Sequence, residues 1–135
     1  MKPLTATERK RTPSARAKQW CREEQEQGRI LAWDWCESFN SFTKRKKDLF
    51  GFADLVMVRA GSRPSSMMDT PPGLVAVQVT GGGNGPARVA KIKAEPAAAA
   101  WLRAGAKIQV WDYRQRKVRG VGVVSIERVV IQVGE

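Results

Sequence analysis

The fold is decided by two stretches, LVAVQVTGGGNGPARVAKI at residues 74–92 and FGFADLVMV at residues 50–58. The first predicts a buried strand, a glycine-rich loop and a helix. The second is almost continuously apolar, which is typical of a central strand covered on both faces. Each stretch has polar exceptions, Asp54 in the second and Gln78 and Thr80 in the first. Together they predict two buried strands that bring a few polar side chains to one place.

The elements outside these two stretches complete an α/β pattern in the order αβββαβ, with further β structure at the end. Ser14 and Gly28 are typical start and stop signals for the first helix. The predicted elements are a helix at residues 14–27, a strand at 30–36, a hairpin or loop at 40–47, a loop at 61–73, helices at 88–94 and 97–104, a strand at 107–111, a turn at 114–119 and one or two strands at 121–133. The predicted fold is a mixed central sheet flanked by helices on both sides. Residues 1–13 predict a flexible basic arm, and residues 14–135 a single domain.

The composition limits the kinds of partner and of catalytic or metal site that the protein can have. The 135 residues include 24 Lys and Arg against 13 Asp and Glu, a formal net charge of +11. Such an excess attracts polyanions, of which nucleic acid is the commonest soluble example. The chain has no histidine, which excludes triads, zinc sites and general bases that need an imidazole. Cys21 and Cys36 are too few for a zinc cluster and predict reduced thiols.

Polar residues interrupt both of the apolar strands. A buried carboxylate without a partner is costly, so Asp54 must be paired, protonated or bound to a metal ion. Gln78 and Thr80 share one strand face, and a neighbouring strand would bring them to Asp54. The Asp54 carboxylate, the Gln78 amide oxygen and the Val79 carbonyl would suit Mg²⁺, which can supply a water that attacks a phosphodiester. Alternatively, Asp54 is a structural group that accepts hydrogen bonds from backbone amides and from Gln78.

Three stretches carry a resemblance to a known superfamily: DLFGFADLVMV at residues 48–58, LVAVQVTGGGNGPARVAKI at 74–92 and WLRAGAKIQVW at 101–111. With the first helix they cover most of the chain, and they resemble the PD-(D/E)XK nucleases, in particular the small, phage-type, Holliday-junction-resolvase-like members. The resemblance implies a restriction-endonuclease-like αβββαβ core. It also implies a metal-dependent DNA endonuclease of recombination that uses Mg²⁺ or Mn²⁺ on branched or Holliday-junction DNA, with Asp54 and Gln78 as metal ligands.

One position departs from the pattern of that superfamily. Its members carry a lysine two residues after the Glu or Gln, where it positions the attacking water, and this chain has Thr80 there. Either the activity is lost or a lysine from elsewhere reaches the site. Lys91 and Arg88 lie three residues apart on one helix face, and we assign Lys91 to the missing role and Arg88 to a phosphate contact, with Lys93 directed elsewhere. The predicted catalytic set is Asp54, Gln78, Thr80 and Lys91.

Other acidic residues are weaker candidates for the site. Asp48 either caps the turn before the second strand or adds a second carboxylate to the pocket, and the cap is the favoured interpretation. Glu37 follows the first strand and could make an outer contact to the metal. Some resolvase-like relatives carry a glutamate on the first helix, where this chain has Glu23, Glu24 and Glu26. For these three, a solvated helix surface is favoured.

Cations beyond the N-terminal arm form three further patches, which favour a phosphate-binding surface. The glycine-rich loop at residues 81–85 and the helix behind it also favour an anion. Contacts to phosphate carry no sequence information, so we expect recognition of DNA by its structure. The candidate nucleic-acid-binding residues are Lys44, Arg45, Lys46, Lys47, Arg88, Lys91, Lys93, Arg114, Arg116 and Lys117.

DNA is therefore the expected partner, and the resemblance implies a symmetric homodimer. The alternative is a non-catalytic DNA-binding protein on a degenerate nuclease fold, which Thr80 favours. RNA also fits the charge. No apolar run has the roughly 18 residues of a membrane span, so we expect a cytoplasmic protein without a membrane partner. The phage-type resemblance implies a phage gene expressed in a bacterial host.

Overall fold

The computed structural model describes residues 1–60 and 72–134, so most of the loop predicted at 61–73 lies outside the described residues. The elements are, in chain order, α1 (Ala6–Lys10), α2 (Pro13–Glu26), β1 (Ile30–Trp35), β2 (Ser38–Asn40), β3 (Arg45–Lys47), β4 (Leu55–Arg59), β5 (Gly73–Gly81), α3 (Gly85–Lys93), α4 (Pro96–Arg103), β6 (Lys107–Val118) and β7 (Gly122–Val133). The predicted α/β class is confirmed.

Five strands form one mixed sheet in the order β1-β4-β5-β6-β7, and β2 and β3 form a separate hairpin. Only β5 and β6 pair in parallel among the described strands of this sheet, since β1–β4, β4–β5 and β6–β7 are antiparallel. The parallel pair needs a crossover connection, which α3 and α4 supply. As predicted, the strands within the two quoted stretches, β4 and β5, are direct neighbours, with Leu55 opposite Val77.

Helices cover both faces of the sheet. On one face, Ala17 and Cys21 of α2 pack with a core that includes Met57, Val77 and Trp111. On the other face, the helices α3 and α4 contribute a second core with Ala76 of β5 and Val110 of β6, through residues such as Ile92 and Ala98. Alternate residues of β5 thus enter opposite cores, because side chains alternate across a strand.

The apolar stretch at residues 50–58 is not one strand, and this prediction was wrong at its first half. Residues 49–53 form a tight turn in which the Leu49 N–H donates to the Ala53 carbonyl oxygen at 2.8 Å, with positive φ at Phe50 (54°) and Gly51 (80°). Phe52 and Ala53 are nevertheless buried in the second core. A buried turn and a buried strand have the same apolar composition, and hydropathy alone does not separate them.

The structure differs from three further predictions. The turn predicted at residues 114–119 was wrong, because β6 continues to Val118 in a long two-stranded ribbon with β7, where Arg114 lies opposite Glu127. The first helix begins at Pro13 rather than Ser14, since Thr12 is the cap and accepts a hydrogen bond from the Ala15 N–H. Within the segment predicted as a flexible arm, the structure has the short helix α1 with its own capping box.

Candidate active site

Asp54 is the residue immediately before β4, and backbone hydrogen bonds fix it between β1 and β5. Its N–H donates to the Val77 carbonyl oxygen at 2.9 Å. Its own carbonyl oxygen accepts from the N–H groups of Cys36 at 2.6 Å and Glu37 at 3.2 Å. The backbone of Asp54 therefore belongs to the rigid centre of the sheet although the residue is not within the strand.

The two carboxylate oxygens of Asp54 have different surroundings. Oδ2 accepts hydrogen bonds from Gln78 Nε2 at 2.8 Å and from the Val79 N–H at 2.7 Å. Oδ1 is buried and has no hydrogen-bond partner among the described residues. The residue as a whole is only 2% exposed, so water does not replace the missing partner freely. Oδ2 is therefore hydrogen-bonded as in a structural aspartate, whereas Oδ1 lacks a donor among the described residues.

The Asp54 side chain lies beside two more carboxylates. Glu37, Asp48 and Asp54 each place a ligand atom within 4.8 Å of the others. The β2–β3 hairpin explains the convergence, because Ser38 pairs with Lys47 and so the residues that flank the hairpin meet at its base. The favoured interpretation of Asp48 as a turn cap does not account for its side chain, which joins this acidic cluster of Glu37, Asp48 and Asp54.

Burial is the largest influence on Asp54 and raises the pKa of its carboxyl. The Val79 N–H acts in the opposite direction, the charge of Asp48, a hydrogen bond with the Asp48 side chain and the charge of Glu37 raise the pKa further, and the resulting pKa is about 8. A carboxyl in this state costs the protein stability when it ionises, and a positive charge at the cluster would reverse that cost. Such a perturbed group in a cleft is a marker of a functional site.

A cleft of about 440 Å³ opens over the acidic cluster. Carboxylates line it together with Lys46 of the hairpin and with Arg88 and Lys91 of α3. The full lining comprises Pro13, Ser14, Glu37, Lys46, Asp48, Asp54, Gln78, Val79, Thr80, Gly81, Arg88 and Lys91. Negative groups and lysine or arginine side chains thus share one cleft, which suits a metal ion and a phosphate side by side.

The predicted catalytic residues all line this cleft, and Gln78 takes the role that the alternative interpretation gave it, as a hydrogen-bond partner of Asp54. Its amide nitrogen donates to Asp54 Oδ2, so this contact orients the aspartate. Thr80 is 7% exposed and lines the cleft without supplying a charge. Lys91 is exposed and Arg88 half-buried, both on the cleft side of α3.

Other predicted DNA-binding cations lie away from the cleft lining. Lys93, on the same helix as Lys91, lines a separate apolar groove with Leu102 of α4 and Val133 of β7. Lys44 lies in the turn of the β2–β3 hairpin. The members of the predicted set that the lining does not include are Lys44, Arg45, Lys47, Lys93, Arg114, Arg116 and Lys117. Of these, Arg114 forms an ion pair with Asp112 at 2.8 Å.

The glycine-rich loop was predicted to offer its amides to an external anion, but two of these amides are used within the protein. The buried carboxylate of Asp112, on β6, accepts from the Gly83 N–H at 3.2 Å and from the Gly85 N–H at 3.0 Å. Glycine at position 85 leaves room for this contact, since a Cβ would lie 2.7 Å from Ile131 Cδ1 and 3.0 Å from Asp112 Oδ2. An internal carboxylate therefore satisfies the start of α3 and fixes the helix that carries Arg88 and Lys91.

Glu24 of α2 is engaged elsewhere and does not line the cleft. It forms ion pairs with Arg29 and with the buried Arg59, which is the last residue of β4 and so lies at the opposite end of that strand from Asp54. Burial raises the pKa of Glu24, and the hydrogen bonds from the two arginines outweigh it, so that the pKa is lowered. Glu24 joins the first helix to the sheet.

The structure places cations of the basic N-terminal segment, together with Arg16 of α2, beside the cleft. A groove lined by Arg9, Arg11 and Arg16 continues from the cleft, because Pro13 and Gly81 line both. The only sequence signal for this groove was the basic N-terminal segment, whose position beside β5 depends on tertiary packing. The groove extends the basic surface away from the acidic cluster.

No family model matches the chain, and no match was found among curated proteins or solved structures. In residues 1–60 and 72–134, no helix is both long enough and apolar enough to cross a membrane. The chemistry of the cleft is therefore the basis on which a function can be argued.

Proposed function

We propose that this protein is a metal-dependent endonuclease that hydrolyses phosphodiester bonds of DNA. The observation that carries the proposal is Asp54 Oδ1, a buried carboxylate oxygen without a donor among the described residues, in a residue that lies beside two further carboxylates in a cleft that also contains Lys46, Arg88 and Lys91. Carboxylates this close together either share a proton or bind a cation, and the proposal takes the cation as the functional state.

The side chains present fit Mg²⁺ or Mn²⁺. These are hard cations that take carboxylate and carbonyl oxygens, and the cluster offers one oxygen each from Glu37, Asp48 and Asp54. A strand residue directs its N–H and its carbonyl to the same side, and the Val79 N–H points to Asp54. The Val79 carbonyl therefore opens towards the same gap and remains a candidate ligand, while Gln78 orients Asp54. When bound, the ion would acidify a water and offset charge on the phosphate.

The cations of the cleft act on the phosphate and on the attacking water. Arg88 can hold two phosphate oxygens through its planar guanidinium, which fixes the scissile group over the acidic cluster. Lys91 replaces the superfamily lysine, whose position is occupied by Thr80 in this chain. Its ammonium group orients the water and stabilises charge on the phosphorane-like transition state. Lys46 approaches from the hairpin and provides a second positive charge. The P–O bond breaks with water as nucleophile, which leaves one phosphate end and one hydroxyl end.

On the basis of the resemblance we also propose a restriction-endonuclease-like αβββαβ core, and the order of the elements supports it. Asp54 stands at the start of the second strand of the main sheet and Gln78 on the third, and the two strands are adjacent. We extend the proposal to branched or Holliday-junction DNA as substrate and to a symmetric homodimer as the active form, both on the basis of that resemblance.

Cleavage assays with and without Asp54 test the proposal. The wild-type chain and the Asp54→Asn variant are incubated with Mg²⁺ and with duplex, single-stranded and four-way-junction DNA. We expect the wild type to cleave, and the variant to lose at least about a thousandfold in rate while it still binds DNA, since several kcal/mol of metal-derived stabilisation are removed. RNA of the same sequence serves as a competitor. Equal cleavage by both proteins, or none by either, would refute the mechanism.

A second candidate function is DNA binding without cleavage. Thr80 favours it, because a threonine side chain supplies neither a positive charge nor a strong donor at the position of the superfamily lysine. Under this alternative, the wild-type and Asp54→Asn proteins bind DNA equally and neither cleaves it. The presence of Lys46 and Lys91 in the cleft is the reason that we prefer the nuclease.

A further inference from the structure

The β2–β3 hairpin, residues 38–47, carries two exposed aromatic side chains that the proposed mechanism does not use. Phe42 in the turn is 96% exposed and Phe39 on β2 is 59% exposed. Single exposed apolar residues are common on protein surfaces. Two phenylalanines on one ten-residue hairpin that also carries four consecutive cations, Lys44 to Lys47, form a combined aromatic and basic surface.

The turn of the hairpin holds Phe42 in a defined position. Asn40 Oδ1 accepts hydrogen bonds from the N–H groups of Phe42 at 2.9 Å and Thr43 at 3.2 Å. The Lys44 N–H closes the turn on the Asn40 carbonyl oxygen at 2.9 Å, with Lys44 at a positive φ of 58°. The backbone is thus satisfied within the turn, and the ring is presented to solvent on an ordered support. Such preorganisation lowers the entropic cost of binding.

The hairpin connects this aromatic surface to the cleft. Phe39 pairs directly with Lys46, so the two side chains lie on the same face of the ribbon, and Lys46 lines the cleft. Glu37 and Asp48 stand at the base of the hairpin. From Glu37 to Asn40 the strand spans about 10 Å, and Phe42 lies beyond it. Phe42 would therefore meet the substrate away from the reacting phosphate, at more than about 10 Å from the acidic cluster.

The chemistry of the surface identifies what it binds. The four cations attract a polyanion, and an exposed ring on an ordered turn offers a flat apolar face for stacking. A base within a continuous duplex has both faces covered by its neighbours, whereas an unpaired base exposes one. We infer that the hairpin binds DNA at an unpaired base, which stacks on Phe42, and that it thereby selects branched or gapped DNA for the cleft. This inference rests on the proposed function and names the feature of the substrate that the same site prefers.

Binding measurements without divalent ions test the inference independently of cleavage. Fluorescence anisotropy compares the full chain on a labelled duplex and on the same duplex with a short unpaired gap. We expect Phe42→Ala to weaken binding to gapped DNA by about tenfold and to leave duplex binding within about twofold. Phe42→Trp should retain the preference. Leu31→Ala, which removes an apolar side chain that is 64% exposed on β1, is the matched control and should change neither affinity.

Two results of the binding measurement would overturn the inference. One is an equal loss of affinity for both DNAs in Phe42→Ala, which would indicate a general contact, and the other is no loss at all. Because Phe42 is almost fully exposed, its replacement does not threaten folding. A selective loss supports the hairpin even when no variant cleaves DNA, in which case the nuclease mechanism alone fails. Conversely, cleavage of both DNAs with unchanged selectivity in Phe42→Ala would leave the nuclease standing and refute the hairpin.

Discussion

Two buried aspartates stand at the same end of the central sheet and have opposite environments. Asp112 accepts hydrogen bonds at both of its oxygens, from Gly83 and Gly85 and from Arg114. Among the described residues, Asp54 has hydrogen-bond donors at one oxygen only, and two further carboxylates lie beside it. Both side chains are buried, so burial alone does not distinguish their roles.

The pKa values of the two carboxyls move in opposite directions for this reason. Burial would raise the pKa of Asp112, but hydrogen bonds from Arg114 and from the glycine amides outweigh it and hold the pKa below its usual value. Burial and neighbouring negative charges raise the pKa of Asp54 to about 8. A buried carboxylate whose donors are all within the protein stabilises the fold, whereas one left short of donors is the candidate for the external cation that we propose.

The largest effect that this comparison predicts is a loss of stability when Asp112 is removed. Asp112→Ala leaves the amides of Gly83 and Gly85 without their acceptor, which we expect to lower the free energy of unfolding by about 3 kcal/mol. Arg114 adds little to this figure because its side chain is 42% exposed. Urea denaturation measures the change, with Asp34→Ala on exposed β1 surface as the control, expected within about 0.5 kcal/mol of wild type. An unchanged midpoint for Asp112→Ala would remove the structural role assigned to it.

The second effect concerns the helix that Asp112 holds over the cleft of Asp54. Lys91 and Lys93 are both exposed on α3, and only Lys91 lines the cleft. We expect Lys91→Met to lower the cleavage rate by about a hundredfold with DNA affinity largely retained, because the loss falls on the step that moves a proton from water. Lys93→Met should change the rate less than twofold. Equal rates in the two variants would contradict the assignment, and a large loss in Lys46→Met instead would transfer the role to the hairpin lysine.

The smallest effect is a gain of stability in the metal-free protein when Asp54 is neutralised. The folded pKa of about 8 lies above the unfolded value, so the stability that Asp54 contributes is fully present at low pH and is lost as the pH rises towards 8. Asp54→Asn keeps an acceptor for Gln78 and Val79 and directs N–H groups to the acidic cluster. In chelator-treated samples we expect it to be more stable than wild type by about 1 kcal/mol or more at pH 8, and by less at pH 5. A difference that does not grow with pH would count against the raised pKa.

The sequence predicted the meeting of Asp54 and Gln78 because it depends on a simple rule. Polar residues in apolar strands are visible in the pattern, and their adjacency needed only that the two strands pair, which they do. The α/β class and the helices on both faces followed from the same periodicity. The same periodicity did not reveal the turn at residues 49–53, because Phe52 and Ala53 are as buried as residues of a strand.

The rest of the site depends on contacts that no periodicity encodes. Glu37 and Asp48 meet because a hairpin closes between them, and that closure is fixed by the turn at Asn40 rather than by any pattern in the acidic residues. Asp112 lies at the end of a predicted strand, and its capture of the glycine-rich loop depends on the parallel register of β5 and β6, in which it faces Thr80. The long β6–β7 ribbon replaced a predicted turn because cross-strand pairing tolerates a run of exposed cations.

The account depends most on the claim that a divalent cation completes Asp54. A crystal of the full chain soaked in MnCl₂ tests this directly through the anomalous scattering of manganese. We predict a peak between Asp54 Oδ1 and the carboxylates of Glu37 and Asp48, which disappears in Asp54→Asn. A cleft without a peak, in which Asp54 Oδ1 accepts a hydrogen bond from a protein donor, would contradict the account and identify Asp54 as a second structural aspartate.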